Sequence, residues 1–218
     1  MKTALVLGAT GLVGSHLVDL LIADDRFATI KTFVRRTAGK THPKLQEHLV
    51  NFDQPETWQH LLTGDVLYSA LGTTLKKAGS KGAQFKIDYS YQYSVAKAAA
   101  ANGVPTYVLV SSAGASTKSR IFYSRMKGEL ERDVQKLPFQ NIHIIQPGIL
   151  AGPRNEVRTG ERIGIGVMSL LYHIPGLGPY KPIHAGIVAQ AMINASFNTS
   201  QKVKTYTLQG VFDRATRS

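Results

Sequence analysis

The chain contains no cysteine. Disulfides, thiolate metal sites and cysteine nucleophiles are thereby excluded. It also lacks any run approaching the ~18 apolar residues that a bilayer-spanning helix needs. No basic-then-apolar leader precedes the first strand-like run, so the expectation is a soluble cytoplasmic protein with no membrane partner. The histidines at 16, 42, 48, 60, 143, 173 and 184 form neither an H-x-H nor an H-E-x-x-H pattern, and no metal is expected. A G-x-S-x-G nucleophile elbow is missing as well. There is no internal repeat, low-complexity segment or linker. The 218 residues, 43% of them hydrophobic, suit one domain, 1–218, in which 151–218 contribute a small substrate lobe.

Acidic residues are in short supply: 14 against 26 basic ones, a net charge of +12. An excess of this kind attracts anionic ligands, but the basic residues are spread along the chain. Only Lys76, Lys77, Lys81 and Lys86 gather, in a Gly-containing stretch that reads as a loop. A solvated basic surface accounts for most of the charge. Nucleic acid is disfavoured as a partner, since net charge alone argues for it.

The most informative segment is Gly8-Ala9-Thr10-Gly11-Leu12-Val13-Gly14. It follows the apolar run Ala4–Leu7 and opens an amphipathic segment, Leu12–Ala23. Strand, glycine turn and helix together present free backbone N–H groups to a phosphate. Gly8, Thr10, Gly11, Leu12 and Val13 are therefore candidate cofactor-binding residues.

Strand candidates alternate with helical segments along the chain. The strands read as Ala4–Leu7, Thr29–Val34, Glu47–Asn51, Val66–Ser69, Thr106–Val110, Ile142–Gln146 and Thr205–Leu208. The helices read as Leu12–Ala23, Pro55–Leu62, Tyr89–Asn102, Phe122–Lys136, Glu161–Tyr172 and His184–Ser196. This alternation predicts an α/β fold, a doubly wound parallel sheet of the Rossmann type. Ligands then bind outside the carboxyl ends of the strands. Those ends carry Gly8–Val13, Arg35–Arg36, Asp53, Leu71–Thr73, Ser111–Ser112 and Pro147–Leu150.

The second strand ends in Val34-Arg35-Arg36, with no acid where a site for NAD usually places one to hold the ribose 2′-hydroxyl. Two guanidinium groups suit a 2′-phosphate instead. NADP(H) is the expected cofactor and NAD(H) the weaker alternative.

Two Tyr-x-x-x-Lys spacings occur, Tyr93/Lys97 and Tyr123/Lys127, and each puts both side chains on one helix face. Context separates them. The second pair follows a strand ending in Val110-Ser111-Ser112-Ala113-Gly114, whereas the first has no serine partner and reads as helix packing and surface. A nearby ammonium lowers a phenol's pKa from its usual value of about 10. Tyr123 then gives a proton to a carbonyl oxygen as hydride arrives at carbon. Lys127 also holds the ribose hydroxyls. Ser112, with Ser111 as the second choice, stabilises the developing oxyanion.

With these residues in place the chain resembles a short-chain dehydrogenase/reductase. The likeness rests on the glycine turn, Ser111-Ser112-Ala113-Gly114, Tyr123-Ser124-Arg125-Met126-Lys127 and Gln146-Pro147-Gly148-Ile149-Leu150. It covers residues 1 to 158 and is similar to the extended and atypical branches. More narrowly, the chain resembles the Tat-interacting-protein-like oxidoreductases, through Arg35-Arg36, Leu71-Gly72-Thr73, the Tyr123–Glu129 segment and Pro147–Leu150 followed by Arg154 and Arg158. That resemblance implies an NADPH-binding Rossmann fold with Leu71, Gly72, Leu150 and Arg158 lining the cofactor site and Asp53 near adenine. It leaves a homodimer through Tyr89–Asn102 and Phe122–Lys136 open. Two departures stand out: Ser69-Ala70-Leu71-Gly72-Thr73 replaces an Asn-Asn-Ala-Gly turn, and Asp88 stands where the usual proton relay has Asn.

The expected function is an NADPH-dependent oxidoreductase acting on a small carbonyl or alcohol substrate. The alternative is a non-catalytic NADPH sensor that acts through a protein partner.

Overall fold

The computed structural model describes residues 1–151 and 182–216. A seven-stranded, all-parallel sheet forms its centre, with strand order β3-β2-β1-β4-β5-β6-β9. The strands are β1 (Lys2–Leu7), β2 (Phe27–Val34), β3 (Leu45–Leu49), β4 (Val66–Ser69), β5 (Thr106–Val110), β6 (Asn141–Gln146) and β9 (Val203–Thr207). A separate two-stranded ladder pairs β7 (Leu150–Ala151) with β8 (Ile183–His184).

Both faces of the sheet are covered, so its inner strands read as unbroken apolar runs rather than as alternating ones. The strand period of two still sorts the side chains. Ala4, Val6, Tyr68, Val108 and Ile145 join one core with α1 (Leu12–Ala23), α6 (Ala185–Ser196) and α7 (Gln209–Thr216). Leu5, Leu7, Leu67, Tyr107, Leu109 and Ile144 join the other, with α4 (Gln92–Ala101) and α5 (Phe122–Val134). The strand order reverses between β1 and β4, which opens a crevice at their carboxyl ends. In the C-terminal region, α6 packs on α1 and β9 extends the main sheet. The expected helix Glu161–Tyr172 lies outside the described residues.

Four elements among the described residues differ from the sequence reading. The helix expected over Pro55–Leu62 is two single 3₁₀ turns, Pro55–Thr57 and Gln59–Leu61. Trp58 breaks it: its indole N–H donates to the Asn51 carbonyl at 2.9 Å, and its ring packs between Phe33 and Phe52. The helix expected from Tyr89 begins earlier, because Ser80 Oγ accepts from Ala83 N and caps α3 (Lys81–Phe85). A π-turn over Lys86–Tyr91 then joins α3 to α4, a distortion frequent at functional sites. Helices α2 (Leu75–Ala78) and α7 were not expected. They are short, and α7 buries only Val211 fully, so neither shows a readable apolar period.

His143, on β6, is fully buried against Tyr206. Burial, with Arg214 and Lys204 nearby, pushes its imidazole down to about 4. Between pH 6.5 and about 4 the unfolded chain therefore binds a proton that the fold refuses, and stability falls as pH drops. His143→Leu is expected to flatten this part of the stability profile, measured by urea unfolding at pH 7 and pH 4.5. An unchanged slope would contradict it.

Candidate active site

The turn after β1 is fixed by three backbone clearances. Gly8 adopts φ +85°, and a Cβ there would lie 2.5 Å from Leu71 N and 2.6 Å from the Ala70 carbonyl carbon. Gly14 brings α1 onto the turn so closely that a Cβ would lie 2.0 Å from the Gly8 oxygen. At Gly11 the same oxygen would be 3.2 Å away, and Gly11 N donates to it at 2.9 Å. Gly11 is the N-cap of α1 and supplies no side-chain cap, and the first turn carries no acid. The first-turn amides and the positive end of the helix thus meet an incoming ligand uncovered.

A cleft of about 410 Å³ opens beside this turn, lined by Gly8, Thr10, Phe33, Val34, Arg35, Arg36, Thr37, Phe52 and Leu71. Arg35 and Arg36 are exposed on its rim. Neither has a carboxylate within 4 Å among the described residues. The aromatic walls Phe33 and Phe52 escaped the sequence reading. Their position at or just past the ends of β2 and β3 was the available signal. Asp53 follows Phe52 but turns elsewhere: its carboxylate accepts from Tyr91 Oη and pairs with Lys86 Nζ, both at 2.7 Å. Lys86 and Tyr91 hold that carboxyl below its usual range.

The second group of residues lies at the end of β5. Ser111 is buried, its N–H donating to the Ile145 carbonyl at 2.7 Å. The Ser112 hydroxyl donates to the Ala113 carbonyl at 3.3 Å. Tyr123, 37% exposed, is in the first turn of α5. Lys127, one turn on and buried, donates from Nζ to the Val110 carbonyl at 3.1 Å. Hence α5 is tied to the strand end immediately before Ser111. The loop between them is pinned: a Cβ on Gly128 would lie 2.4 Å from the Ser116 carbonyl carbon, and Ser116 N donates to the Ser124 carbonyl at 3.0 Å.

Lys127 has two carboxyl neighbours in electrostatic range. Burial pushes its ammonium pKa down, while Asp88 and Glu131 hold it up. Burial likewise raises Asp88 and Glu131, with Lys127 opposing in both cases. Asp88 lies in the π-turn, and its Oδ1 accepts from Thr73 N at 2.7 Å. The Asp88 carboxylate therefore anchors the loop after β4. Glu131 accepts two hydrogen bonds from the Gln146 amide, at 2.9 and 3.0 Å. It continues the Tyr123–Lys127 stripe by one more turn, a spacing visible in the sequence but not used.

Leu71 lines the cleft, Gly72 is exposed beside it, and Leu150 pairs with Ile183 in the small ladder. Arg154 and Arg158 lie outside the described residues. Tyr93 stacks on Tyr89 at 6.0 Å, and Lys97 is exposed. His184 serves α6: its Nδ1 accepts from Gly186 N at 3.2 Å, with the His16 ring 5.2 Å away. No group of three or more metal-ligating side chains occurs among the described residues.

A glycine cradle at a strand-order reversal, with uncovered helix amides and a cleft beside it, defines a dinucleotide-binding Rossmann domain. Residues 8–156 match the NAD(P)H-binding family, and the chain belongs to it. It is similar to "Protein fmp52, mitochondrial" of Aspergillus niger, 36% identical over 203 residues that span 89% of this chain and 87% of that protein. It is also similar to "Protein FMP52, mitochondrial" of Candida albicans, 40% identical over 197 residues, 87% of this chain and 85% of that one. Among solved structures, the Bordetella bronchiseptica enzyme WbmH in complex with NAD⁺ has a TM-score of 0.71 at 17% identity, covering 95% of this chain and 75% of that one. The structure of gox2253 has a TM-score of 0.71 at 20% identity, covering 95% and 70%. These two likenesses concern the fold.

The relatives' mitochondrial names overturn the expectation of a cytoplasmic protein. That expectation rested on the missing cysteines, the missing apolar spans and the absence of a basic-then-apolar secretory leader. None of these distinguishes the cytosol from the interior of an organelle.

Gly8→Val is expected to abolish dinucleotide binding, because a side chain at that φ collides with the backbone of Ala70 and Leu71. A loss of affinity exceeding about 100-fold in a fluorescence titration with NADPH, with far-ultraviolet circular dichroism retained, is the expected result. Parental affinity would contradict the geometry.

Proposed function

We propose that the protein is an NADPH-dependent oxidoreductase of the short-chain dehydrogenase type, in the Tat-interacting-protein-like branch, that reduces a small carbonyl compound in mitochondria. One observation carries the reading: Lys127 ties α5, with Tyr123 one turn earlier, to the end of β5 just before Ser111 and Ser112. The glycine turn opens at the same carboxyl edge of the sheet.

The glycine cradle and the uncovered amides of α1 fit a pyrophosphate. The cleft between Phe33, Phe52 and the two arginines fits an adenosine bearing a 2′-phosphate. Arg35 and Arg36 favour NADPH, because guanidinium groups complement a phosphate bidentately. When bound, the cofactor supplies hydride.

The chain supplies the proton and the charge control. Tyr123 donates from Oη to the carbonyl oxygen of the substrate. Lys127 keeps that phenol acidic, and its own charge is sustained by Asp88 and Glu131 against burial. Ser112, with Ser111 behind it, donates to the same oxygen as it gains charge. A second reading, an NADPH sensor acting through a protein partner, is favoured by Asp88 in place of a relay amide.

Calorimetric titration with NADPH and NADH tests the cofactor assignment. NADPH is expected to bind more tightly, and Arg35→Ala to remove about tenfold or more of that preference. Tyr123→Phe tests the chemistry: binding is retained and turnover of an aldehyde panel falls by about 10²- to 10⁴-fold. Equal affinity for the two cofactors would overturn the NADPH assignment. Turnover indifferent to Tyr123→Phe would overturn the reductase reading.

A further inference from the structure

Between Asp25 and Asp53 the chain carries six basic residues, Arg26, Lys31, Arg35, Arg36, Lys40 and Lys44, and one acid, Glu47. Among the described residues Glu47 has no cation within 4 Å. Its carboxylate is used on backbone instead: Ala38 N donates to Glu47 Oε2 at 2.9 Å. Glu47 lies on the edge strand β3, where a period of two puts it on one face with Leu45 and Leu49. An acid interrupts that apolar row, and the bond to Ala38 is what it makes there.

That bond closes a short bridge. In the parallel pairing of β2 with β3, Thr32 stands opposite Glu47 and Val34 opposite Leu49. Where β2 ends, the Val34 carbonyl accepts from Val50 N at 2.9 Å. Glu47 takes hold of the chain again at Ala38. The three residues between these two anchors are Arg35, Arg36 and Thr37, and all three line the cleft. Beyond the bridge, Gly39 N donates to Thr37 Oγ1 at 3.1 Å, and Lys40 pairs with Asp19 of α1. The Lys40–Asp19 pair lies largely in solvent, where such a pair holds little. Glu47 is half-buried, and a carboxylate accepting an N–H makes one of the stronger hydrogen bonds. Arginines on a loose loop would have to order backbone and side chain together as a phosphate arrives. On a bridge held at both ends, only the side chains remain to be ordered.

We infer that Glu47 is a positioning residue for cofactor selection: by holding Ala38 N it fixes Arg35 and Arg36 at the cleft, and so sets the preference for a dinucleotide with a 2′-phosphate over one with a free 2′-hydroxyl. The inference rests on the NADPH assignment and adds to it a residue that acts through the backbone.

Fluorescence titrations of the parent protein, Glu47→Ala and Glu47→Gln with NADPH and with NADH test it. Glu47→Ala removes the acceptor: NADPH affinity is expected to fall about five- to tenfold, with NADH affinity within about twofold of the parent. Glu47→Gln keeps an acceptor oxygen and should restore the parental ratio to within about twofold. A merely structural loss would weaken both cofactors together and leave their ratio unmoved. Equal loss for both, a parental ratio in Glu47→Ala, or a Glu47→Gln protein that behaves like Glu47→Ala overturns the inference alone. A parent protein without NADPH preference defeats the NADPH assignment, and the inference with it. Amide exchange of the unliganded parent protein, read by NMR, needs no variant to fold. Ala38 is expected to exchange about tenfold or more slowly relative to Arg36, after correction for intrinsic rates. An Ala38 amide as fast as that of Arg36 overturns the inference.

Discussion

Everything at the carboxyl edge of the sheet depends on how closely two stretches of backbone approach at the reversal between β1 and β4. Gly8 lies against Ala70 and Leu71 with no room for a Cβ, and Gly14 lies against Gly8 with still less. This double contact sets the depth at which α1 starts, and hence where its uncovered amides point. It also fixes Leu71, which forms a wall of the cleft, relative to the turn. A side chain at either glycine would push the helix or the β4 loop outward and would open the edge that carries both the cleft and the Tyr123 end of α5.

Charge is distributed over that edge in two different ways. At the cleft, Arg35 and Arg36 are exposed and have no acidic partner among the described residues, which suits them to an incoming phosphate. At the end of β5 the opposite holds: Lys127 is buried, and two half-compensated carboxyls share its surroundings. Burial penalises all three charges: the two carboxyls sustain the Lys127 ammonium, and Lys127 in turn sustains each of them. Asp88 does more than supply charge. Its hydrogen bond to Thr73 N links the π-turn to the loop after β4, so the loop beside the cleft and the buried lysine are mechanically and electrically joined.

The parallel sheet, helix α1 and the glycine turn were readable from the sequence because each has a strong local signature. Val66–Ser69 and Thr106–Val110 are bounded as expected, since apolar runs covered on both faces have sharp ends. Segments that answer to tertiary contacts were less legible. Pro55–Leu62 has helical composition, yet Trp58 is worth more in the aromatic cluster with Phe33 and Phe52 than in a helix. The π-turn around Asp88 leaves no pattern, because one extra residue in a turn changes register without changing composition. Arg35, Arg36 and Leu71 were found by their place after strands. Phe33 and Phe52 were not, because an aromatic near a strand end reads first as core. The compartment was not legible at all, since the residues consulted do not encode it.

The central claim is that the cofactor occupies the edge organised by Gly8, with its phosphates on α1 and its adenosine between the arginines. Amide hydrogen exchange with and without NADPH tests this directly, since it needs neither a substrate nor a mutation. Protection is expected to rise at residues 9–14, at 34–37 and at 71–73, and to stay unchanged at the opposite ends of the strands. Protection absent from residues 9–14, or confined to another face of the sheet, would contradict the account.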